Sequence, residues 1–249
     1  MSDIFNCEII KKSQCFEYTD LMISAPEIAE KCRPGQFLHI DCGKGTTLRR
    51  PISICEVAGT CVRVVFQVKG KGTKALSECE EGGSISVLGP LGNGFDFSGE
   101  RVLLIGGGLG VFPLLQAAKT AGKNSVAILG FRSADAVYLK EDFEKYCREV
   151  YISTDDGTAG EKGFVTDIQK RIICGFDLVM TCGPDIMMKN VSAVCRDNDI
   201  NCQVSLEERM GCGTGVCLCC TRTVMRGGET DNLCVCKEGP VFDSREVYF

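Results

Sequence analysis

The chain has 249 residues, of which 44% are hydrophobic and 24% charged, so it is long enough for two ordinary domains and a small extra module and has a globular composition. A net charge of -5 and the lack of a Lys/Arg block argue against nucleic-acid binding, which needs a concentrated basic surface. The N-terminal segment does not resemble an export signal and no apolar stretch approaches the ~20 residues of a membrane span, so we expect a cytoplasmic protein with no membrane or nucleic-acid partner.

Short β-like runs separated by turn residues fill the first hundred residues. A single short helix is predicted from Gly72 to Glu80. The Gly89–Gly94 segment is predicted to break the β pattern and act as a hinge, which places a domain boundary near residue 99. The first domain, residues 1–98, is therefore predicted to be a six-stranded antiparallel β-barrel. Its strands are expected at 4–10, 15–23, 36–41, 51–57, 61–68 and 84–88.

From Arg101 onward, short apolar strands alternate with helices. This alternation predicts a parallel sheet covered on both faces, a Rossmann-like domain over residues 99–202. Strands are expected at 102–105, 125–130, 149–153 and 177–182, and helices near 111–121, 139–147, 163–171 and 185–197.

The chain contains 18 cysteines, and disulfides are normally reduced in the cytoplasm. We expect those before Cys182 to serve mainly as small buried apolar residues. The last segment, residues 203–249, is too short and too rich in glycine and cysteine to form its own apolar core. It is predicted to be a small module held together by a metal centre.

The cysteines of this module have a distinctive spacing. Cys212, Cys217 and Cys220 follow the pattern C-x4-C-x2-C, which is the plant-type spacing for a [2Fe-2S] cluster closed by a distant fourth thiolate. Glycines between the first two cysteines let the backbone bend and turn amide N–H groups toward the cluster. Zinc is the structural alternative, but it favours two C-x2-C knuckles. Spacing selects Cys220 over Cys219, whereas local sequence does not choose between Cys234 and Cys236.

Two segments of the predicted barrel carry phosphate-binding signals. Arg50, Pro51, Ile52 and Ser53 begin a predicted strand, where an arginine can face a phosphate and a serine can bond a flavin ring atom. Gly72 and Thr73 open the short helix, and a threonine N-cap would leave amide N–H groups for a diphosphate. An exposed pair of arginines at a strand start is the alternative for the first segment. Together the two signals indicate an FAD site.

A glycine-rich loop lies between the first strand and the first helix of the second domain. Gly106, Gly107, Gly108 and Gly110 occupy the context that a dinucleotide loop requires, although Val111 replaces the third glycine of G-x-G-x-x-G. No acidic residue ends the second strand, so the choice between NADH and NADPH stays open. Cys182, Gly183 and Pro184 end a later strand at the edge where open α/β sheets bind ligands. A plain turn is the alternative for both segments.

The sequence offers no acid–base machinery, and no catalytic residue is predicted. Its single histidine, His39, lies in a strand-like run and is predicted to be a packed core residue. Hydride transfer to a flavin needs no protein acid or base, because the flavin performs the chemistry while the protein positions the rings.

The barrel with R-P-x-S, the glycine loop and C-G-P together resemble the ferredoxin–NADP reductase superfamily over residues 1 to about 200. The order of motifs resembles more closely the electron-transfer subunits of type B dihydroorotate dehydrogenases. This likeness extends through 48–53, 88–95, 205–212 and the closing cysteine motif at 236–242. The resemblance implies that Cys236 is the fourth cluster ligand.

The same resemblance implies which residues contact FAD: Arg50, Pro51, Ile52, Ser53, Val65, Phe66, Gln67, Gly72 and Thr73. Gln67 departs from the arginine common in the family, so a phosphate contact there is expected to be weaker or moved. The implied partner is an FMN-containing catalytic subunit in a heterotetramer of two plus two. Electrons from dihydroorotate would pass from FMN through the cluster and FAD to NAD+.

Two other functions remain open from sequence. One is a related NAD(P)H-linked flavin/iron–sulfur subunit, such as that of a sulfide dehydrogenase or a ferredoxin:NADP oxidoreductase. Those relatives often carry an aspartate near the cluster, whereas this loop offers four thiolates. The other is a non-enzymatic redox-sensing or zinc-stabilised binding module. A zinc module would be colourless, whereas a protein with FAD and a [2Fe-2S] centre is brown-yellow.

Overall fold

The computed structural model describes residues 3–43 and 45–249. Contacts between residues divide this part of the chain into two compact units. The first unit runs to Gly94 and also takes in Glu207–Arg222 and Leu233–Pro240. The second comprises Phe95–Leu206, Thr223–Asn232 and Val241–Phe249, so the residues of the 203–249 segment are assigned to both units. No helix in the described ranges combines the length and apolar character needed to cross a membrane.

Six antiparallel strands close a barrel in the first unit, which confirms the predicted fold. Around the barrel the strands follow the order β1-β2-β5-β4-β3-β6. Their bounds are β1 Asp3–Cys15, β2 Tyr18–Ser24, β3 Phe37–Ile40, β4 Arg50–Ala58, β5 Cys61–Gln67 and β6 Ser84–Leu91.

The barrel core is built from alternate residues of each strand, because successive side chains on a strand point to opposite faces. On β3, Leu38 and Ile40 belong to the buried core cluster, and on β4, Ile52 and Ile54 do. The intervening residues of these two strands therefore lie on the outer face of the barrel. Cys7 and Cys42 fill the core as predicted, whereas Cys15 is exposed.

Two short helices accompany the barrel: α1, Pro26–Lys31, and α2, Lys71–Ser77. Helix α1 was not predicted, because its six residues are too few for a helical repeat to be visible. Pro26 at its first turn was the available signal, since proline suits that position. Helix α2 confirms the predicted short helix but ends earlier than expected.

The prediction that the β pattern breaks at Gly89 is wrong. Strand β6 continues to Leu91, with Gly89 paired to Asp3 and Leu91 paired to Phe37. A Cβ atom on Gly89 would lie 2.7 Å from Cδ2 of Leu38, so this glycine allows close packing within the barrel and does not end the strand. The strand ends before Gly92, whose φ of 74° suits glycine.

A largely parallel sheet forms the second unit, as predicted. The remaining strands are β7 Val102–Gly107, β8 Ser125–Phe131, β9 Glu149–Thr154, β10 Glu161–Lys162, β11 Leu178–Cys182, β12 Asn201–Ser205, β13 Thr221–Arg226, β14 Glu229–Cys234 and β15 Val241–Asp243. The sheet has the order β10-β9-β8-β7-β11-β12-β15, in which only β15 is antiparallel to its neighbour. Strands β13 and β14 form a separate two-stranded sheet.

Four helices alternate with the parallel strands: α3 Leu114–Ala121, α4 Lys140–Tyr146, α5 Val165–Ile172 and α6 Asp185–Asp197. Helix α3 begins three residues later than predicted, because Gly108–Val111 forms a turn of 3-10 helix first. The chain order reverses between β7 and β11, which are neighbours in the sheet. In open α/β sheets, ligands bind at the carboxyl ends of strands at such a reversal point.

Candidate functional site

The residues predicted to bind a flavin are arranged along β4 with alternating orientation. Ile52 is buried in the barrel core, while Pro51 and Ser53 are half-buried and lie on the outer face. Across the β3–β4 ladder, Ser53 pairs with Phe37 and Pro51 pairs with His39. Pro51 and Ser53 can therefore contact a group bound on the outer face of the barrel, while Ile52 contributes to packing of the barrel core.

Arg50 lies against the first turn of α2, which brings the two phosphate signals together. A Cβ atom on Gly72 would lie 2.4 Å from Nε of Arg50, so only glycine leaves room for the guanidinium there. A guanidinium beside backbone amides that begin a helix is a combination that suits a phosphate group. These groups fit the diphosphate of FAD.

The predicted role of Thr73 as N-cap is wrong. The N-cap of α2 is Gly70, and Thr73 is the third residue of the helix. Its hydroxyl oxygen accepts hydrogen bonds from the backbone N–H groups of Lys69 and Gly70, at 2.9 and 3.2 Å. Thr73 thus shapes the loop before the helix and supplies one half of a capping box, since Gly70 has no side chain to return the bond.

The second predicted flavin segment, on β5, is mostly buried. Phe66 belongs to the barrel core, and Val65 is 4% exposed. The amide of Gln67 donates a hydrogen bond to the carboxylate of Glu17. The side chain of Gln67 is therefore hydrogen-bonded within the protein. It is uncharged, whereas an arginine at this position would carry a positive charge.

The cysteine loop supplies amide donors to thiol sulfurs, which is the test of whether it suits an iron–sulfur centre. The N–H groups of Thr214 and Cys217 each donate to Sγ of Cys212 at 3.4 Å. The N–H of Gly215 donates to Sγ of Cys236 at 3.1 Å. Donors aimed at sulfur stabilise thiolates and cluster sulfides, so the loop fits the group.

The pKa values of two of these thiols shift in opposite directions, although the amide donors lower both. Burial opposes ionisation of Cys212, but the amide donors of Cys217 and Thr214 outweigh it and hold the pKa of this thiol at about 6. Burial, followed by the neighbouring thiol of Cys220, raises the pKa of Cys236 to about 12. Cys236 must therefore lose a proton when it binds a metal.

The neighbouring cysteines have different contacts; spacing had already selected Cys220 over Cys219 and had left Cys234 and Cys236 open. The N–H of Cys236 donates to Sγ of Cys220 at 3.4 Å, which brings the ends of the cysteine motif together. Cys219 is exposed, whereas Cys220 is 2% exposed. The N–H of Cys234 instead donates to the carboxylate of Glu238 at 3.0 Å.

No group of three or more His, Cys, Asp or Glu side chains within residues 3–43 and 45–249 is arranged around a single metal ion. A [2Fe-2S] cluster makes a different demand, because each tetrahedral iron shares two sulfides and needs only two protein thiolates. The backbone N–H of Cys217 lies against Sγ of Cys212 and that of Cys236 against Sγ of Cys220, so these contacts bring the backbone of one cysteine to the sulfur of another.

The cysteine loop that contains Gly213 and the segment that follows Cys236 pack against the barrel and the turn that follows β6. The side-chain amide of Asn93 donates to the carbonyl oxygens of Lys237 and Glu238 at 3.2 and 2.9 Å, and its backbone N–H donates to Gly239 at 2.6 Å. A Cβ atom on Gly213 would lie 2.8 Å from Nδ1 of His39. The cluster loop therefore covers the part of β3 that adjoins the residues of β4 predicted to bind the flavin.

His39 is buried as predicted, but on the outer face of the barrel and not in its core. It is 1% exposed. Burial lowers the pKa of its imidazole, and the neighbouring guanidinium of Arg49 lowers it further, so the ring is neutral at pH 7. Its alternation with the core residues Leu38 and Ile40 was the sequence signal that could have revealed this position.

In the second unit, the glycine loop and the Cys182 turn are in contact. Strand β7 pairs with β11 so that Gly106 lies opposite Cys182. A Cβ atom on Gly110 would lie 2.2 Å from the carbonyl oxygen of Cys182, and one on Gly107 would lie 2.4 Å from Sδ of Met187. The two predicted nucleotide segments thus meet at the reversal point of the sheet, and their glycines allow the close approach.

Similarity to known proteins agrees with this arrangement. Residues 207–248 match the family profile of the iron-sulfur cluster binding domain of dihydroorotate dehydrogenase B. The dihydroorotate dehydrogenase B (NAD(+)) electron transfer subunit of Caldanaerobacter subterraneus is 41% identical over 222 residues, 88% of this chain and 89% of that protein. This chain belongs to that family.

Other members and one solved structure extend the comparison. The electron transfer subunit of the same name from Desulforamulus reducens is 39% identical and covers 99% of each chain. The structure of an NADH-dependent reduced ferredoxin-NADP oxidoreductase, 33% identical, aligns with a TM-score of 0.85 over 97% of this chain and 89% of that chain. The predicted resemblance to the ferredoxin–NADP reductase superfamily and to the electron-transfer subunits of type B dihydroorotate dehydrogenases is confirmed. The fold is that of an oxidoreductase subunit.

Proposed function

We propose that this chain is the electron-transfer subunit of an NAD-linked dihydroorotate dehydrogenase and that it binds FAD, one [2Fe-2S] cluster and NAD. Its partner would be an FMN-containing subunit that oxidises dihydroorotate, in an assembly of two copies of each. Family membership supports the activity and the need for a catalytic partner. The FMN and the stoichiometry are the further parts of the proposal, and native mass spectrometry of the reconstituted complex tests them.

One observation carries the proposal: the cluster loop lies on the barrel face that also presents the flavin motif. Gly213 contacts His39, and His39 pairs across the ladder with Pro51. A cluster carries one electron at a time, whereas nicotinamide accepts a hydride. A bound flavin can exchange either single electrons or a hydride, so it can link the two. Adjacent flavin and cluster segments are what such an exchange requires.

The chain's own residues would divide the work as follows. Arg50 and the amides at Gly72 would hold the diphosphate, and Ser53 would orient the flavin ring from the outer face of β4. Cys212, Cys217, Cys220 and Cys236 would hold the iron, with amide donors on three of their sulfurs. The glycine loop 106–110 and the Cys182 turn would bind the nicotinamide dinucleotide in the second unit. The chain then acts by binding and positioning, without a general acid or base.

Removal of one cluster ligand tests the order of the redox centres. We expect Cys220→Ala to lose about two iron atoms per chain while FAD stays bound. NADH oxidation by an artificial acceptor should survive, and dihydroorotate-dependent NAD+ reduction with the partner subunit should stop. Cys219→Ser, a change at the exposed neighbouring thiol, is the matched control and should keep both activities. Loss of both activities in a folded, FAD-loaded Cys220→Ala protein would contradict the proposed order.

The similarity to an NADH-dependent reduced ferredoxin-NADP oxidoreductase supports a second candidate, in which ferredoxin and not dihydroorotate exchanges electrons with this subunit. The two candidates differ in the partner protein. Anaerobic mixing with a dihydroorotate-oxidising FMN subunit plus dihydroorotate, or with reduced ferredoxin, followed by the absorbance of NADH, distinguishes them. A sample purified without air that contains zinc but neither iron nor flavin would exclude both.

A further inference from the structure

The only histidine of the chain lies where the flavin-binding strand and the cluster loop adjoin. His39 shares the outer face of β3 with Phe37, because the alternate residues Leu38 and Ile40 belong to the barrel core. On the neighbouring strand, its cross-strand partner is Pro51. Side chains at directly opposed positions have Cβ atoms about 4.5–5.5 Å apart, so the imidazole lies beside the flavin motif.

The cluster loop passes directly over this imidazole. A Cβ atom on Gly213 would lie 2.8 Å from Nδ1 and 3.2 Å from Cγ of His39, so glycine is required for the loop to come this close. Gly213 follows Cys212, whose sulfur accepts two amide hydrogen bonds. The Nδ1 edge of the ring therefore faces the backbone that carries a proposed iron ligand.

Both ring nitrogens lack a satisfactory hydrogen-bond partner among residues 3–43 and 45–249. They lie near the backbone of Arg49 and Cys212, but neither contact has the geometry of a hydrogen bond. A buried polar atom without a partner lowers stability, and an apolar side chain of similar size would avoid that cost. The position and the two unpartnered nitrogens together leave hydrogen-bonding capacity, where the cluster loop meets β3, that the described residues do not use.

We propose that His39 is a positioning residue for electron transfer, donating an N–H to the iron–sulfur centre and setting the spacing between that centre and the flavin. This inference rests on the proposed function. A neutral imidazole has one donor and one acceptor nitrogen, so it can make such a bond without adding charge. Hydrogen bonds to the sulfurs raise the reduction potential of a cluster, because they stabilise the additional negative charge.

Three variants of the full chain test the proposal. Each is purified without air, and its FAD and iron contents are measured first. His39→Leu removes both polar atoms, His39→Asn restores a donor near Nδ1, and His39→Gln restores one near Nε2. Leu91 is also next to Gly213, 3.2 Å from its Cβ position, so Leu91→Val changes packing against the same glycine without removing a polar atom. It is the matched control for packing.

We expect His39→Leu to shift the cluster potential to a more negative value and to change the electron paramagnetic resonance spectrum of the reduced cluster. Reduction of the cluster by NADH should have an equilibrium constant about tenfold lower, the change expected when a hydrogen bond to a charged group is lost, and in a stopped-flow experiment it should slow because its driving force is smaller. NADH oxidation by an artificial acceptor at the flavin should be unchanged. His39→Asn should restore the potential more fully than His39→Gln, and Leu91→Val should leave it unchanged.

An unchanged spectrum, potential and reduction rate in fully loaded His39→Leu would show that His39 only fills space and would overturn the proposal. An equal shift in Leu91→Val would overturn it too, because packing alone would then explain the effect. If His39→Leu fails to retain the cluster, the asparagine variant decides: a normal spectrum supports the proposal, and loss of the cluster contradicts it. Wild-type protein without iron or flavin would instead refute the proposed function itself.

Discussion

Gly110 and Cys182 are in backbone contact: a Cβ atom on Gly110 would lie 2.2 Å from the carbonyl oxygen of Cys182 and 2.5 Å from the backbone nitrogen of Gly183. The two residues are 72 positions apart in sequence, and the parallel pairing of β7 with β11 brings them together. Because both clashing atoms belong to the backbone, a side chain at position 110 cannot be accommodated by a change of rotamer.

We therefore expect Gly110→Ala to separate the glycine loop from the Cys182 turn. Overpacking of this kind costs about 1–3 kcal/mol, which denaturant unfolding would measure. Binding of NADH, followed by fluorescence titration, should be lost or severely weakened while FAD and iron contents stay normal. Gly175→Ala is the control, since a Cβ atom there would meet nothing within 4 Å. Normal NADH affinity in the Gly110→Ala protein would contradict a nucleotide site at this contact.

The contact between Arg50 and Gly72 predicts a loss of flavin affinity without a loss of stability. A methyl group at position 72 would displace the guanidinium, which is the end of a flexible side chain and can move away. The phosphate contact would then be lost, and we expect Gly72→Ala to raise the dissociation constant for FAD about tenfold or more.

Flavin fluorescence on titration of the apoprotein measures that constant, and thermal unfolding of the apoprotein should be nearly unchanged. Gly70→Ala, two residues earlier in the same loop, is the matched control because no atom lies within 4 Å of its Cβ position. Equal FAD affinity in the two variants would remove Arg50 from the phosphate site.

The choice of the fourth iron ligand can be tested by a pair of serine variants. Sγ of Cys236 accepts the N–H of Gly215, and the N–H of Cys236 donates to Sγ of Cys220. We expect Cys236→Ser to lose or strongly destabilise the cluster, as judged by iron content and visible absorbance. Cys234→Ser should retain a normal spectrum. The reverse result would assign the ligand to Cys234.

An exposed ion pair in the second unit predicts how stability responds to acid. Nη2 and Nε of Arg101 lie 2.6 and 3.2 Å from the carboxylate oxygens of Asp177, and the backbone N–H of Arg101 donates to the same group at 3.1 Å. Hydrogen bonding to the Arg101 side chain and then to its backbone holds the pKa of Asp177 below its usual value.

The unfolded chain therefore binds this proton more tightly than the folded chain. Stability from the pair is fully present above the ordinary aspartate pKa of about 3.9 and is lost as the pH falls through the lower folded value. We expect Arg101→Gln to weaken this acid dependence in urea unfolding measured between neutral and low pH, and Arg101→Lys to preserve part of it. Equal pH profiles for wild type and Arg101→Gln would show that the pair contributes nothing measurable.

Local pattern was enough to predict the elements that carry the site. Alternating apolar residues before residue 92 specified barrel strands, and the apolar run before Gly106 specified a buried parallel strand, because side-chain period reflects which faces are covered. The C-x4-C-x2-C spacing likewise specified an iron–sulfur loop, since cluster geometry limits the chain length between ligands. Helix α1 and the continuation of β6 through Gly89 were missed, because short helices and close-packed glycines have no periodic signature.

Tertiary structure decided what those segments contact. Cysteine spacing left Cys234 and Cys236 equivalent and only the family resemblance favoured Cys236, whereas the fold places the sulfur of Cys236 against the N–H of Gly215 and its own N–H against the sulfur of Cys220. Sequence indicated that His39 is buried, but not that the cluster loop covers it beside Pro51. The alternation of apolar residues indicates which face of its own strand each residue lies on. Which distant segment then packs against it depends on barrel closure and cross-strand register, and these arise only when the whole chain folds.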